Sequence, residues 1–216
     1  MTRQEGVILV HGLWMHGLIM TVLHRRIARS GYRASSFSYS SVRLTLTQNA
    51  DRLAAFCSVR DLPGLHFVGH SLGGLVILRM LERAAGLRVG RIVLMGTPYG
   101  ASFAARRLEQ LPGGRAMLGR SVPEWQARGN SRHAGGHEIG VIAGTISAGL
   151  GRLVAPDLPL PNDGVVTVEE TRIPDMRDHV VMPINHSGML VSAAVARQIC
   201  EFIRHGAFAR DERRET

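Results

Sequence analysis

The stretch LHFVGHSLGGLVIL, Leu65–Leu78, decides the fold of this 216-residue chain. Its first half is an apolar run of strand length, and its second half places apolar residues almost all round a helix. Between the halves lies G-H-S-L-G, residues 69–73, whose glycines remove two Cβ atoms from a crowded bend. Such a turn strains the backbone at Ser71 and lifts its hydroxyl out of the sheet. The stretch therefore predicts a strand, a sharp turn with an exposed serine, and a buried helix.

Short apolar runs alternate with helical patterns along the rest of the chain. This alternation is typical of strand-helix-strand units, which form a parallel sheet with helices on both faces. Thr45 and Gln48 add a capping-box pattern at the start of one helix. We therefore predict an α/β fold, a doubly wound parallel sheet of about six strands. Strands are expected near Val7–Val10, Arg33–Tyr39, Leu65–Gly69, Arg91–Met95, Glu138–Thr145 and His179–Met182, and helices near His16–Ser30, Thr45–Val59, Leu72–Ala85 and Gly188–Arg204.

Four stretches between Val7 and Met189 resemble the α/β-hydrolase superfamily, and within it the compact serine lipases and esterases and the GPI-inositol-deacylase-like lipases. They are VILVHGLW near the start, VGHSLGG at the turn, VLMGTPYGAS after the next strand, and the late pair PNDGVV and INHSGM. They occur in the order in which the family has them. The resemblance implies the minimal version of the fold, with a nucleophile elbow at Ser71 and a Ser-His-Asp catalytic triad.

The resemblance assigns the general base to His186. The family's catalytic histidine sits between the last strand and the last helix, and INHSGM lies there and resembles the family's late motif. A serine hydroxyl needs such a base because it is a weak nucleophile near neutral pH. His70 is next to Ser71, but adjacent positions in a tight turn point apart, so we expect His70 to pack or bond locally. His11, in the loop after the first strand, is also expected to be structural.

The resemblance assigns the acid to Asp163, because PNDGVV resembles the family's acid turn and the chain order is then Ser, Asp, His. A carboxylate here would fix the tautomer of His186 and stabilise its charged form. Two alternatives stay open. Residues 162–164, Asn-Asp-Gly, are also an ordinary turn sequence. Rival carboxylates lie within reach of the same sheet edge: Asp157, Glu169, Glu170, Asp175 and Asp178.

Two backbone N–H groups are expected to form the oxyanion hole. Leu72 follows the serine at the start of a helix, where N–H groups are free and the helix dipole is positive. Leu13 follows the first strand, where Gly12 lets the backbone approach closely. The sequence has HGLW here instead of the HGGG of many esterases. This difference argues against substrates that need a wide glycine-lined entrance.

Large apolar residues lie close in sequence to these motifs. Their size and adaptability suit an acyl chain, so we predict that they bind substrate. The alternative is that they belong to the core. They are Trp14, Met15, Tyr99 and Met189.

Residues 99–136 interrupt the regular alternation with prolines, glycines and arginines. Ala101–Leu111 is compatible with a helix, and the rest with loop and short helical pieces. The family inserts cap segments here, so the section is either a small lid over the active site or a surface excursion without a gating role. We interpret residues 1–216 as one α/β-hydrolase domain that contains this excursion.

The chain carries 26 basic and 17 acidic residues, which gives a formal net charge of +9. All 26 basic residues are arginines, and they are scattered along the sequence. We therefore expect a solvated basic surface and no nucleic-acid partner, rather than a dedicated polyanion site. Anionic substrates or membrane surfaces would still be attracted, so peripheral membrane contact stays open.

The start of the chain lacks the pattern of a signal peptide, and no run is long and apolar enough to span a membrane. We expect a cytoplasmic protein with two buried, reduced thiols, Cys57 and Cys200. No cofactor is expected. We also expect no metal, because the spacing of the weak candidates His133, His137 and Asp157 matches no standard ligand set.

The leading hypothesis is a serine hydrolase that cleaves a small acyl ester or lipid through an acyl-enzyme. The modest excursion and the apolar residues favour a short- to medium-chain esterase or a small lipase. A thioesterase or acyltransferase would use the same residues. A non-catalytic module that binds partners through its basic surface is the alternative from another class, but it leaves the catalytic set unexplained. The acyl-chain length and the oligomeric state cannot be read from the sequence.

Overall fold

Six parallel strands form one sheet in the order β2-β1-β3-β4-β5-β6. The computed structural model describes residues 4–60, 64–84, 86–128, 136–149 and 151–210. All five pairs of neighbouring strands are parallel. The predicted doubly wound sheet is therefore confirmed. The strands are β1 (Gly6–Val10), β2 (Arg33–Phe37), β3 (Leu65–His70), β4 (Val89–Met95), β5 (Ile139–Gly144) and β6 (Asp178–Met182).

Helices cover both faces of this sheet. Those in the described residues are α1 (Thr21–Arg29), α2 (Leu46–Ser58), α3 (Leu72–Arg83), α4 (Phe103–Glu109), α5 (Gly114–Leu118), α6 (Ser121–Arg128), α7 (Gly151–Val154) and α8 (Ala193–His205). α1 and α8 share one apolar cluster, and α2 and α3 share the other. The buried strands therefore have an apolar layer on each side, as their nearly continuous apolar sequences require.

The first and last helices begin later than predicted. Gly17–Met20 and Gly188–Leu190 are short 3-10 helices that precede α1 and α8. α8 begins afresh because the Ser192 hydroxyl accepts a backbone N–H of its first turn at 3.2 Å and so caps it. The predicted capping box of α2, between Thr45 and Gln48, is confirmed.

β2 ends at Phe37, earlier than the predicted Tyr39, because Tyr39 binds the loop after β1. The Tyr39 N–H donates to His11 Nε2 at 3.2 Å and the Tyr39 hydroxyl donates to the His11 carbonyl at 2.8 Å. Since a backbone N–H only donates, His11 Nε2 is the acceptor and Nδ1–H donates to the Gly12 carbonyl at 2.9 Å. His11 thus braces this loop from within the core.

The strand order reverses between β1 and β3. The chain moves from β1 outward to β2 and then crosses to β3 on the other side of β1. In open α/β sheets, ligands bind beyond the carboxyl ends of the strands at such a switch point. The register places Val10 beside Gly69 and His70 beside Met95. The loops that follow β1, β3 and β4 therefore meet at one edge.

The start of α3 packs against this edge so closely that two positions require glycine. A Cβ on Gly73 would lie 2.2 Å from the Val10 carbonyl oxygen, and a Cβ on Gly74 would lie 2.1 Å from Thr97 Oγ1. Both distances are far below van der Waals contact. The two glycines let the helix begin directly over the ends of β1 and β4.

Helices α4, α5 and α6 form most of the excursion and are fastened to the rest of the chain. Trp14 Nε1 donates to the Met117 carbonyl at 2.7 Å, and Asn49 Nδ2 donates to Ser121 Oγ at 3.1 Å. Glu124 of α6 accepts the Thr47 N–H of α2. The excursion thus contains three helices, where the sequence predicted one helix and shorter pieces; residues 129–135 lie outside the described ranges.

Both cysteines are free and buried, as predicted. Burial raises the pKa of the Cys57 thiol to about 11, so this group stays protonated near neutral pH. Among the described residues, no helix is long and apolar enough to cross a membrane.

The contact beneath Gly73 yields a stability prediction. Gly73→Ala should lower the free energy of unfolding by about 2–3 kcal/mol, because the new methyl group meets backbone atoms that cannot move aside. The loss corresponds to roughly 5–10 °C in Tm, measured by thermal unfolding.

Gly100→Ala is the matched control, since nothing lies within 4 Å of the position that a Cβ would take there. It should leave Tm unchanged or slightly raised. Equal losses in the two variants would contradict the close contact between α3 and β1.

Candidate active site

Ser71 occupies the turn between β3 and α3 in strained backbone geometry, with φ 54° and ψ −125°. Its N–H donates to the Met95 carbonyl at 2.9 Å. Its carbonyl accepts from the Gly74 N–H at 3.0 Å and from Thr97 Oγ1 at 3.1 Å. The side chain is partly exposed. The predicted sharp turn is present, and three hydrogen bonds from two neighbouring segments hold it.

His186 and Asp163 form a buried pair at the same sheet edge. His186 Nδ1 lies 2.7 Å from Asp163 Oδ2. The other carboxylate oxygen, Oδ1, accepts the N–H groups of Val165 at 2.9 Å and Val166 at 2.8 Å. Because the carboxylate accepts, Nδ1 carries the hydrogen and Nε2 of His186 is left with a free lone pair. The His186 N–H also donates to the Asp163 carbonyl at 2.9 Å, so backbone and side chain fix the pair together.

Four of the five rival carboxylates have other partners, and within the described residues the fifth, Asp175, makes no hydrogen bond or ion pair with His186. Asp157 pairs with Arg107, and Glu169 pairs with Arg172. Asp178 pairs with Arg210 and accepts the Phe208 N–H. The Glu170 carboxylate accepts the N–H groups of Phe103 and Thr167, which ties the start of α4 to the loop before β6. Asp163 is the carboxylate that the described residues place on His186.

His70 supports the same pair from beneath. Its Nε2 lies 3.0 Å from the His186 carbonyl oxygen, and the ring centroids of the two histidines are 4.5 Å apart. A carbonyl only accepts, so Nε2–H is the donor and Nδ1 is unprotonated. Burial, together with the nearby His186, lowers the pKa of His70 to about 3. We expected His70 to bond to residues near it in sequence. Its partner is instead the backbone of a residue 116 positions away, which its position next to Ser71 could not reveal.

The loop after β1 passes directly beside the serine. A Cβ on Gly12 would lie 3.1 Å from Ser71 Cβ and 3.2 Å from His70 Nδ1. In the described part of the chain, the Leu13 N–H has no hydrogen-bond acceptor. Leu72 is the first residue of α3, so its N–H has no partner within the helix. Two unpaired donors therefore flank Ser71.

The Ser71 hydroxyl itself makes no hydrogen bond to any described residue, His186 included. Gly12 lies beside both Ser71 Cβ and His70 Nδ1, and the His70 ring lies beside the His186 ring, so the two side chains belong to the same edge of the sheet. Catalytic hydrogen bonds are often long in a free enzyme and shorten when substrate binds. The arrangement has a strained serine and an oriented histidine that are not yet in contact.

Gly96 is a site residue that sequence reasoning missed. Its φ is +53°, and a Cβ there would lie 2.9 Å from both Asp163 Oδ2 and His186 Nδ1. The backbone after β4 thus covers the hydrogen bond of the buried pair. The signal in the sequence was the glycine directly after a buried strand, within VLMGTPYGAS.

The four predicted substrate residues lie in different surroundings. Trp14 is 56% exposed at the surface, with a positive φ of 58°. Met15 is partly buried against the cluster beneath α1 and α8. Tyr99 and Met189 are both enclosed in the core. A role in substrate binding stays a prediction for all four.

No group of three or more His, Cys, Asp or Glu side chains with the geometry of a metal site occurs in the described residues. Asp157, one of the weak candidates, is held by Arg107. His133 lies outside the described ranges.

The sequence pattern of the alpha/beta hydrolase family matches residues 7–182. This match runs from β1 to the end of β6 and includes Ser71 and Asp163, whereas His186 lies four residues beyond it. No curated protein matches the sequence significantly.

Several solved structures share the fold. The mature lipase BlEst2 of Bacillus licheniformis has a TM-score of 0.78 at 18% identity, with 95% of this chain and 93% of that chain covered. The metagenomic carboxyl esterase MGS0156 has a TM-score of 0.67 at 18% identity, with coverages of 86% and 65%. The carboxylesterase CesB of Bacillus subtilis has a TM-score of 0.57 at 15% identity, with coverages of 95% and 85%. At these identities the likeness shows the fold.

The contact above the buried pair yields a prediction for Gly96→Ala. The new methyl group would push Asp163 or His186 aside, so we expect a loss of about 1–3 kcal/mol in the free energy of unfolding beyond the strain of a positive φ. The proton NMR signal of His186 Nδ1–H should also shift or broaden.

Gly113→Ala separates the strain of a positive φ from the clash with the Asp163–His186 pair. Gly113 has a φ of +75° and nothing within 4 Å of its Cβ position, so this variant carries the backbone strain without the clash. A His186 signal that is unchanged in Gly96→Ala would contradict the contact.

The burial of His70 yields a prediction for how the free energy of unfolding depends on pH. The unfolded chain takes up a proton on this residue near pH 6.5, whereas the folded chain does so only near pH 3. As pH falls between these values the unfolded state binds the extra proton, so the folded state should lose about 1.4 kcal/mol per pH unit through this group.

Denaturant unfolding at several pH values measures this slope. His70→Gln retains a donor but does not titrate, so its slope below pH 6.5 should be shallower than that of the parent. His205→Gln, at an exposed position on α8, is the control and should retain the parental slope. Identical slopes in parent and His70→Gln would show that His70 is protonated in the folded state.

Proposed function

Because the chain belongs to the alpha/beta hydrolase family, we propose that it hydrolyses carboxylic esters with Ser71 as nucleophile, His186 as general base and Asp163 as the orienting acid. The observation that supports this proposal most directly is the 2.7 Å contact between His186 Nδ1 and Asp163 Oδ2, buried at the edge where Ser71 lies. Esterases and a lipase among the structural neighbours are consistent with it.

Acylation begins when Ser71 Oγ attacks the ester carbon. His186 Nε2 accepts the hydroxyl proton as the Oγ–C bond forms. The His186 imidazolium then donates that proton to the alcohol oxygen, and the C–O bond of the ester breaks. Because Ser71 Oγ is not hydrogen-bonded to a described residue in the free chain, rotation about its χ1 angle completes the contact when substrate arrives.

Deacylation repeats these steps with water. His186 Nε2 accepts a proton from the water as the water oxygen attacks the acyl carbon. It then returns a proton to Ser71 Oγ as the bond between Oγ and the acyl carbon breaks. The acid product leaves and the serine is regenerated. These steps balance without a cofactor.

Asp163 holds the histidine in the tautomer that these steps require. Its Oδ2 accepts Nδ1–H, which leaves Nε2 as the proton acceptor. Its Oδ1 is occupied by two backbone N–H groups, so the carboxylate cannot rotate away. The negative charge also stabilises the imidazolium that forms in each half-reaction.

The N–H groups of Leu13 and Leu72 form the oxyanion hole in this proposal. Both lack an acceptor among the described contacts and flank Ser71, as Gly12 beside Ser71 Cβ indicates. Removing one such donor commonly lowers kcat by about 100–1,000-fold.

An apolar rim beside the loop after β1 suits an acyl chain. It consists of Trp14, Leu18, Ile19 and Met117, which are all exposed. Trp14 joins the rim to the excursion through its bond to the Met117 carbonyl. A surface rim accommodates short or medium acyl chains, and it would also touch a lipid surface. The hydrogen bonds of α5 and α6 favour a fixed cap over a mobile lid.

The proposal predicts that p-nitrophenyl esters from acetyl to palmitoyl are hydrolysed with a maximum at one chain length. Ser71→Ala and His186→Ala should each lower kcat by roughly 10⁴–10⁶-fold, and Asp163→Asn by about 10⁴-fold. Ser71→Ala should retain the parental Tm within a few degrees, whereas His186→Ala and Asp163→Asn should lower Tm, because each breaks the buried pair.

The controls are Ser58→Ala and Asp51→Asn, at exposed positions on α2. They should retain full activity. Absence of ester turnover with Ser71 still labelled by a fluorophosphonate would redirect the assignment to a thioester or acyl-transfer substrate. Absence of labelling in folded protein would overturn the serine mechanism and leave the binding-module hypothesis.

A further inference from the structure

A cleft of about 300 Å³ lies between α1 and α8, away from the proposed catalytic residues. Four arginines line it, Arg26 and Arg29 from α1 and Arg197 and Arg204 from α8. Spacings of three and seven residues place each pair on one face of its helix. The two pairs are separated by more than half of the sequence, so their scattered positions gave no sign that they converge. We call this feature the α1–α8 cleft.

The arginines that line the cleft outnumber the acidic residues that line it. Glu201 is the acidic residue among those that line it, and it lies 3.7 Å from Arg204. Within the described residues, Arg26, Arg29 and Arg197 have no carboxylate partner. Four arginines against one glutamate leave three formal positive charges in one small volume.

Arg26 also presents an unused donor. Its Nε is buried and has no hydrogen-bond partner among the described residues. Buried donors in folded proteins are almost always paired, because an unpaired one gives up its bonds to water without replacement. An anion in the cleft would offset the repulsion between the guanidinium groups that line it.

Small side chains keep the cleft open. Ala193, Ala196 and Cys200 line it from α8 between the longer side chains of Arg197, Glu201 and Arg204. The volume is at the lower end of the range for small-molecule sites. Since α1 runs back from the loop after β1, its last turn with Arg26 and Arg29 lies toward the edge of the sheet opposite Ser71.

We propose that the α1–α8 cleft binds a phosphate group carried by a small molecule or by a lipid headgroup. Guanidinium groups bind phosphate oxygens in bidentate fashion, and the surplus of positive charge suits an anion with two or more charges better than a carboxylate. The site is separate from ester hydrolysis, and its binding test does not depend on that activity.

Isothermal titration with inorganic pyrophosphate tests the site. The parent should bind pyrophosphate with one-to-one stoichiometry. The double variant that combines Arg26→Gln and Arg197→Gln should raise the Kd roughly tenfold or more. The control, Arg52→Gln with Arg88→Gln, removes the same charge from exposed arginines outside the cleft. It should change the Kd less than about twofold, because exposed distant charges are screened.

Ala193→Glu tests the cleft without removing an arginine. Residue 193 is exposed, so the added carboxylate should leave Tm unchanged and block pyrophosphate by occupying the guanidinium groups. This variant keeps the proposal testable if the double arginine variant fails to fold.

Vesicles of phosphatidylcholine with and without phosphatidic acid separate the two sources of phosphate. Binding of pyrophosphate that both cleft variants weaken roughly tenfold or more supports a free phosphorylated ligand. Binding only to vesicles with phosphatidic acid, lost in the same variants, supports a lipid headgroup. Binding of neither probe, or equal losses in the cleft and control variants, would overturn the proposal.

Discussion

The close contact between the first turn of α3 and the ends of β1 and β4 is the constraint on which the rest of the site depends. Gly73 and Gly74 carry no side chain there, so the helix approaches within a distance that any Cβ would forbid. The strained backbone at Ser71 costs on the order of 1–3 kcal/mol. Burial of each large apolar side chain of α3 contributes about 1.5–3 kcal/mol, and several are buried, so packing of the helix outweighs the strain of the turn.

Desolvation explains how histidines with similar chemistry are divided among different tasks. His70 is buried without a carboxylate, so its neutral form is favoured and it supplies one hydrogen bond to the backbone of His186. His186 faces Asp163 directly, and that carboxylate has its remaining oxygen satisfied by two backbone N–H groups. In the proposed reaction, the positive charge therefore develops only on the histidine that has an anion beside it.

The opposite ends of α1 belong to chemically different surfaces. The 3-10 helix that precedes it carries exposed Leu18 and Ile19 close to the loop after β1, whereas its last turn carries Arg26 and Arg29 into the α1–α8 cleft. One helix thus connects an apolar rim at the carboxyl edge of the sheet with a basic cleft toward the other edge. A hydrolase with a separate phosphate site could hold a charged ligand without bringing it to the serine.

The sequence by itself determined the parallel sheet, the strained turn at Ser71 and the order of the motifs, because these depend on local periodicity, glycine placement and chain order. It could not determine which carboxylate meets His186, since Asp163 and its rivals all lie within reach of one sheet edge. Only the tertiary structure decided that Asp163 does so, and that Gly96 covers the pair and His70 supports it. The convergence of four arginines is likewise tertiary, because helix packing between α1 and α8 joins faces that no local pattern relates.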